Sequence, residues 1–223
     1  MSCGRSGWPC SVAGTDAVGA VPGLPETAVP ASVLDRLPAT SPPPPWRLAT
    51  RSVVWLSGGR APVPGHRTLP VTVAAVVDYL DSPVGPYREV FAGTLLRGLG
   101  LPAVQVPFIA VDSLPSLRAG RVHWALPKAV AGFTGSVGDR VRAEGEGWSV
   151  DVAVRAYGPS LPMAAPVVAV QDGRRTLVTV RGTVRAARVA VAADGPTLGG
   201  WLGRGRHVGF VARGRVFIRP ARG

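Results

Sequence analysis

From Trp46 onward, apolar and polar positions alternate in short runs separated by glycine-bearing turns, the period-two pattern of strands. Arg51 to Leu56 alternates weakly, and Leu69 to Leu80 is a long run rich in β-branched residues. Tyr87 to Ala92 and Val104 to Val111 read as further strands. Asp112 or Ser113 can cap a short helix through Arg118, with Pro115 tolerated in its first turn. Val137 to Ala143 and Trp148 to Tyr157 form a hairpin across Glu144-Gly145-Glu146-Gly147. Val167 to Val170 leads through Asp172-Gly173 into Arg174 to Val191, as one bent strand or two. His207 to Val211 and Arg215 to Ile218 close the pattern, with a turn expected at Arg213-Gly214. Many short strands and few helical stretches predict a mainly β domain, an antiparallel barrel or sandwich with a few short helices.

The first 43 residues differ. They are rich in Gly, Ala, Pro and Ser, and a proline run at Pro42 to Pro45 follows. This arm is expected to be mostly disordered, with a short helix around Val33 to Leu37, leaving residues 44–223 as the folded domain. Its Cys3 and Cys10 are the two cysteines of the chain, so no disulfide framework braces the body. No signal-peptide pattern opens the sequence, and no apolar run reaches the roughly 20 residues needed to span a bilayer. A soluble, cytoplasmic protein is the expectation.

A net charge of +12 raises the question of nucleic acid. The arginines are spread along the chain, Arg174-Arg175 being the one adjacent pair, and neither a zinc-finger spacing nor a ribonucleoprotein signature is present. No specific nucleic-acid partner is expected; nonspecific affinity for polyanions at low salt still follows from the charge. Metal binding is not expected either, since His66, His123 and His207 have no partner at ligand spacing.

Within the basic set lies the most informative residue. Of 25 lysines and arginines, Lys128 is the one lysine. Arginine is always protonated, whereas a buried lysine can lose its proton and act as a nucleophile. Trp124, Leu126, Pro127 and Val130 give it apolar neighbours, where a leftover surface lysine would have polar ones. Pro127 predicts that Lys128 follows a rigid, strand-like or turn segment. Desolvation is then the expected means of lowering its pKa.

Three blocks of residues frame this lysine. Gly120-Arg121-Val122-His123-Trp124-Ala125-Leu126-Pro127-Lys128 sets a glycine-arginine pair ahead of Pro-Lys, after the helical stretch Asp112 to Ala119. Asp78-Tyr79-Leu80-Asp81-Ser82-Pro83-Val84-Gly85-Pro86-Tyr87-Arg88-Glu89 reads as strand, loop and strand ending in Tyr-x-Glu. Pro45-Trp46-Arg47-Leu48-Ala49-Thr50-Arg51 places an arginine six residues after a proline. In this order the blocks resemble the acetoacetate decarboxylase family, over about residues 44 to 223.

That resemblance implies an acetoacetate-decarboxylase-like β-barrel in which Lys128 forms a Schiff base, Glu89 is a pocket carboxylate and Arg51 a basic pocket residue. Tyr87, Arg121, Trp124 and Leu126 would line the substrate pocket. It further implies a small keto-acid substrate, decarboxylation of a β-keto acid as the default reaction, no cofactor, and a homo-oligomer. An aldolase or dehydratase, or a non-catalytic barrel that binds a small hydrophobic acid, are the alternatives. For Glu89 the competing reading is a salt bridge to Arg88 or Arg97. The sequence also departs from the family pattern. The position after the Schiff-base lysine, a second lysine in the family, is Ala129, and Val73-Ala74-Ala75-Val76 holds no upstream carboxylate.

Overall fold

The computed structural model describes Val18, residues 20–59 and residues 66–223. Eleven strands run in chain order as β1 (Trp46–Gly58), β2 (Thr68–Asp81), β3 (Tyr87–Leu96), β4 (Ala103–Val111), β5 (Lys128–Val130), β6 (Gly132–Gly135), β7 (Arg140–Gly145), β8 (Trp148–Ala156), β9 (Leu161–Gln171), β10 (Arg174–Asp194) and β11 (Gly205–Ile218). The helices are short: α1 (Ala31–Leu34), α2 (Leu114–Trp124) and α3 (Leu198–Leu202). The mainly β expectation therefore holds, and all eleven strands join one sheet.

The pairing path β11–β1–β2–β3–β4–β9–β10 closes on itself because β10 also pairs with β11. Neighbours on this path are antiparallel except at the seam, where β4 and β9 run parallel through only two residue pairs. Beyond the seam β5 takes over the same edge of β4, again in parallel. The wall β1–β4 is therefore buried on both faces. Its inner face carries Leu48, Ala75, Val77, Tyr79, Tyr87 and Val111, joined by Leu117 and Trp124 from α2. Its outer face carries Val53, Trp55, Ala74, Val76, Val90 and Phe108, covered by β6–β8 and α3. Strand alternation makes this arrangement: each residue along β1–β4 points to the opposite core from its neighbours.

Several elements depart from the sequence expectation. Strands β1 and β9 begin at Trp46 and Leu161, earlier than their alternation indicates, and β10, one strand rather than two, runs past Val191 to Asp194. No turn occurs at Arg213-Gly214, because β11 continues through it. Gly214 faces Gly182 of β10, and a Cβ on either would collide with the other strand's backbone. These glycines serve close strand approach. Helix α2 extends past Arg118 to Trp124, where Ala125 adopts the left-handed conformation that ends it. Gly120 and Arg121 are therefore helical, and the rigid segment before Lys128 is only Leu126-Pro127.

Of the arm expected to be mostly disordered, residues 1–17 and 19 lie outside the described residues, Cys3 and Cys10 among them. Val18 and residues 20–43 pack on the barrel. Glu26 accepts hydrogen bonds from Thr197 N (2.5 Å) and Thr197 Oγ1 (2.8 Å) ahead of α3, and Leu24 N donates to Pro107 O (2.9 Å). The short helix falls at Ala31–Leu34, slightly ahead of the expected position. No helix among the described residues is long and apolar enough to cross a membrane.

Candidate active site

Lys128 opens β5, and its side chain lies beneath α2 on the inner face of the wall, 4% exposed. Two hydrogen bonds fix the ammonium, to Glu89 Oε2 at 2.7 Å and to Ser116 Oγ at 3.0 Å. Glu89 comes from β3 and is also 4% exposed. Its other oxygen accepts from the Tyr79 hydroxyl at 3.0 Å. Tyr79 and Tyr87 face each other across β2 and β3 and stack at 4.3 Å, and the Tyr87 ring lies 5.3 Å from Lys128 Nζ. The tight loop between β2 and β3 sets this geometry: Tyr79, Tyr87 and Glu89 sit near its two ends, and period two keeps all three on one face.

Helix α2 completes the surroundings of the amine. The Ser113 hydroxyl caps its N-terminus by accepting from Ser116 N at 3.3 Å, and Ser116 and Gly120, four apart, share the face turned toward Lys128. Gly120 leaves the channel through which the lysine stem passes; a Cβ there would lie 2.5 Å from Lys128 Cδ.

Electrostatics modify the expectation that burial alone activates the lysine. Burial, the largest single influence, pushes the ammonium toward losing its proton, but the Glu89 carboxylate and Tyr87 together outweigh it, and the pKa rises above the ordinary lysine value. Lys128 therefore rests as an ammonium in an ion pair. Burial, reinforced by the Glu89 charge, pushes the Tyr79 hydroxyl well above its ordinary value, and burial raises Tyr87 as well. Both phenols are neutral hydrogen-bonding groups near neutral pH.

The remaining sequence candidates are placed differently. Arg51 pairs in register with Asp78 of β2 and Arg213 of β11, while its neighbours Thr50 and Ser52 share the face of Tyr79 and Val77. Alternation thus puts Arg51 on the opposite face of the sheet from Lys128. Arg121 is buried and near the lysine, but its guanidinium binds main chain: Nε to Lys128 O (2.7 Å), Nη1 to Val18 O (2.8 Å) and Nη2 to Thr27 O (2.8 Å). It ties β5 to the segment before α1, and burial lowers its pKa to about 10. Trp124 packs edge-on against Trp46 and donates to Arg219 O, and Leu126 packs on the same inner cluster. Tyr87 is the pocket candidate whose ring borders the amine.

Sequence reading passed over Ser116, Gly120 as the lysine's channel, and Tyr79 as the partner of Glu89. The visible signals were the Ser116–Gly120 spacing on one helix and the placing of Tyr79 and Tyr87 about the loop. Among the described residues no group of three His, Cys, Asp or Glu is placed to hold a metal ion. An apolar cleft lined by Tyr157, Leu161, Met163, Val184 and Phe210 opens on the inner face. The register carries that face from Phe210 through Val54, Ala75, Phe91 and Ile109 to Lys128, one residue per strand.

No family model and no curated protein matches the sequence. Solved structures do. Acetoacetate decarboxylase from Legionella pneumophila is similar with a TM-score of 0.58 at 13% identity, over 81% of this chain and 88% of that one. The enduracididine biosynthesis enzyme MppR complexed with pyruvate gives 0.56 at 17% identity, over 82% and 91%. An acetoacetate decarboxylase-like enzyme from Sphingomonas wittichii RW1 gives 0.53 at 18%, over 79% and 90%. The chain has the acetoacetate decarboxylase fold.

Proposed function

We propose that this protein is a Schiff-base enzyme in which Lys128 forms an imine with a small carbonyl compound, by default a β-keto acid that it decarboxylates. One observation carries the reading: the chain's sole lysine is buried, hydrogen-bonded to a buried carboxylate at 2.7 Å, and framed by Ser116 and two tyrosines. A structural ion pair has no need of lysine in a chain that elsewhere uses arginine.

The chemistry begins inside the pair. A proton passes from Nζ to Glu89 Oε2 along their hydrogen bond, giving a neutral amine and a neutral acid; in a poorly solvated site this exchange costs far less than freeing either charge into the interior. The amine attacks the substrate carbonyl, and Glu89 returns the proton to the departing hydroxyl. The resulting iminium accepts the electrons of the bond to the carboxyl group, so CO2 leaves and an enamine remains. Glu89, a carboxylate again once its proton has left with the hydroxyl, relays a proton from water to the enamine carbon, and the hydroxide left adds to the iminium to release the product and the free amine. Tyr79, holding Oε1, keeps Oε2 aimed at the lysine. Arg51 lies on the other face, so it supplies no charge to hold the substrate carboxylate beside Lys128. The same enamine could add to an aldehyde, and the Glu89–Tyr79 pair beside it supports an aldolase or dehydratase as the second reading.

Incubation with acetoacetate or pyruvate and borohydride tests the proposal. The expected result is a reduced adduct on the Lys128 peptide, with CO2 release marking a decarboxylase and condensation products an aldolase. Absence of an adduct across a panel of keto acids would leave the non-catalytic barrel. Glu89→Gln separates the two roles of the carboxylate. Without its charge, burial governs the ammonium, so the pH midpoint of adduct formation moves to lower pH. The plateau rate falls by about 10²-fold, because the acid that protonates the departing hydroxyl is gone. An unmoved midpoint would mean that Glu89 does not hold the ammonium.

A further inference from the structure

The sheet face turned away from Lys128 is divided. At Val53, Trp55, Ala187, Val189 and Val191 it is buried in the outer core. Further along the same strands it is uncovered and carries Arg47 and Arg51 on β1, Arg181 and Arg185 on β10, and Arg213 and Arg215 on β11. Five are exposed and Arg51 is half-buried. The register sets Arg181 directly opposite Arg215, and Arg213 directly opposite Arg51. Beyond them Arg175 bridges to Arg222. Like charges directly opposite each other destabilise a sheet. Asp78, opposite Arg51, and Asp81, opposite Ala49, are the acidic neighbours in register on β2, yet the ion pairs among the described residues all lie elsewhere. The lysine-poor composition accounts for arginine as the residue type. It does not account for the stacking of these arginines on one open face.

We propose that this face binds the phosphate backbone of a single-stranded nucleic acid without sequence preference. Alternate residues recur at roughly 6.6–6.8 Å along a strand and neighbouring strands lie about 4.8 Å apart, so the guanidinium groups form a ladder suited to a continuous chain of phosphates. Arg47 stands over the Phe217 ring at 5.1 Å on this face, a planar guanidinium–aromatic pair on which an unstacked base can rest. A lipid surface fits less well, since the large exposed hydrophobic side chains (Leu56, Leu80, Leu101, Val130, Tyr157, Leu161, Val208) lie at other positions. An extended peptide finds no free edge, because β1, β10 and β11 are each paired on both sides here. The absence of base-reading motifs from the sequence agrees with a backbone mode. This surface is independent of the imine chemistry.

Fluorescence anisotropy of an oligothymidylate of about 20 nucleotides tests it, titrated with the full chain between roughly 0.05 and 0.2 M salt. Affinity is expected to fall linearly with salt on logarithmic axes, by about 0.7 per phosphate contacted. The double variant Arg181→Ser, Arg215→Ser should lower that slope by about 1.4 and bind roughly ten-fold more weakly at the lowest salt. Arg155 and Arg188 oppose each other on the other face of β10. Their double serine variant removes the same charge and should leave the slope unchanged. Equal losses in the two variants, absence of binding at the lowest salt, or tighter binding to polyglutamate or to phosphatidylserine vesicles would each overturn the proposal.

Discussion

Replacing Lys128 with arginine is expected to abolish the borohydride-trapped adduct, a loss of roughly 10³-fold or more. Arginine keeps the positive charge beside Glu89, so the ion pair survives in form. It cannot become a neutral primary amine, so imine formation stops at its first step. The substitution therefore separates charge from nucleophilicity, which an alanine variant would not do. Removing the charge would leave the buried Glu89 without its cationic partner, with only the Tyr79 hydroxyl on it, at a cost of about 3–5 kcal/mol. Intact-mass and peptide mapping after reduction measure the adduct, and circular dichroism checks the fold. An adduct of undiminished yield in the arginine variant would place the reactive amine elsewhere and sink the central assignment.

Gly120→Ala should produce the next largest effect, and with an unusual signature. The new methyl group would stand 2.5 Å from Lys128 Cδ, 2.7 Å from Cε and 2.9 Å from Cγ, so the lysine stem has to move. Nζ then leaves its position between Glu89 and Ser116, where two hydrogen bonds now hold it. A displacement of about 1 Å at a reacting atom costs on the order of 10²-fold in rate. The helix itself gains, since alanine is better than glycine inside a helix by about 1 kcal/mol. That gain offsets only part of what the displaced ion pair loses, so the expected outcome is slower adduct formation in a protein that stays folded with a lowered melting temperature. Equal rates in the two proteins would show that the lysine stem has room to spare. Loss of stability with an unchanged rate per folded molecule would mean that the glycine serves helix packing alone.

Much of this architecture was legible along the chain, for a definite reason. Strand identity rests on alternation, a local property, and it located β2, β4 and β8 closely, with its β3 stopping short of Leu96 and its β7 shifted from Arg140–Gly145. The β2–β3 loop was legible too, and with it the common face of Tyr87 and Glu89, because a tight hairpin ties register to residue number. What misled was local chemistry with a non-local cause. Gly214 was expected in a turn, yet it lies mid-strand because another backbone passes close by. Arg121 was expected beside the substrate and instead holds carbonyls of Val18, Thr27 and Lys128, two of them from a segment expected to be disordered.

Composition and local pattern marked the candidate nucleophile, a single lysine among arginines, set in an apolar frame after Pro127. They also determined the mainly β class. The lysine's partners and its charge state come from contacts made on folding. Glu89 and Ser116 stand 39 and 12 residues from Lys128, on another strand and on a helix, and no periodicity links the three. Burial pushes an ammonium toward neutrality, whereas a carboxylate at 2.7 Å holds its proton, and which effect wins depends on a distance that exists only after folding. The exclusion of Arg51 has the same origin. One residue along a strand exchanges the inner face for the outer, and the pairing of β1 with β2 and β11 fixes which of the two it receives.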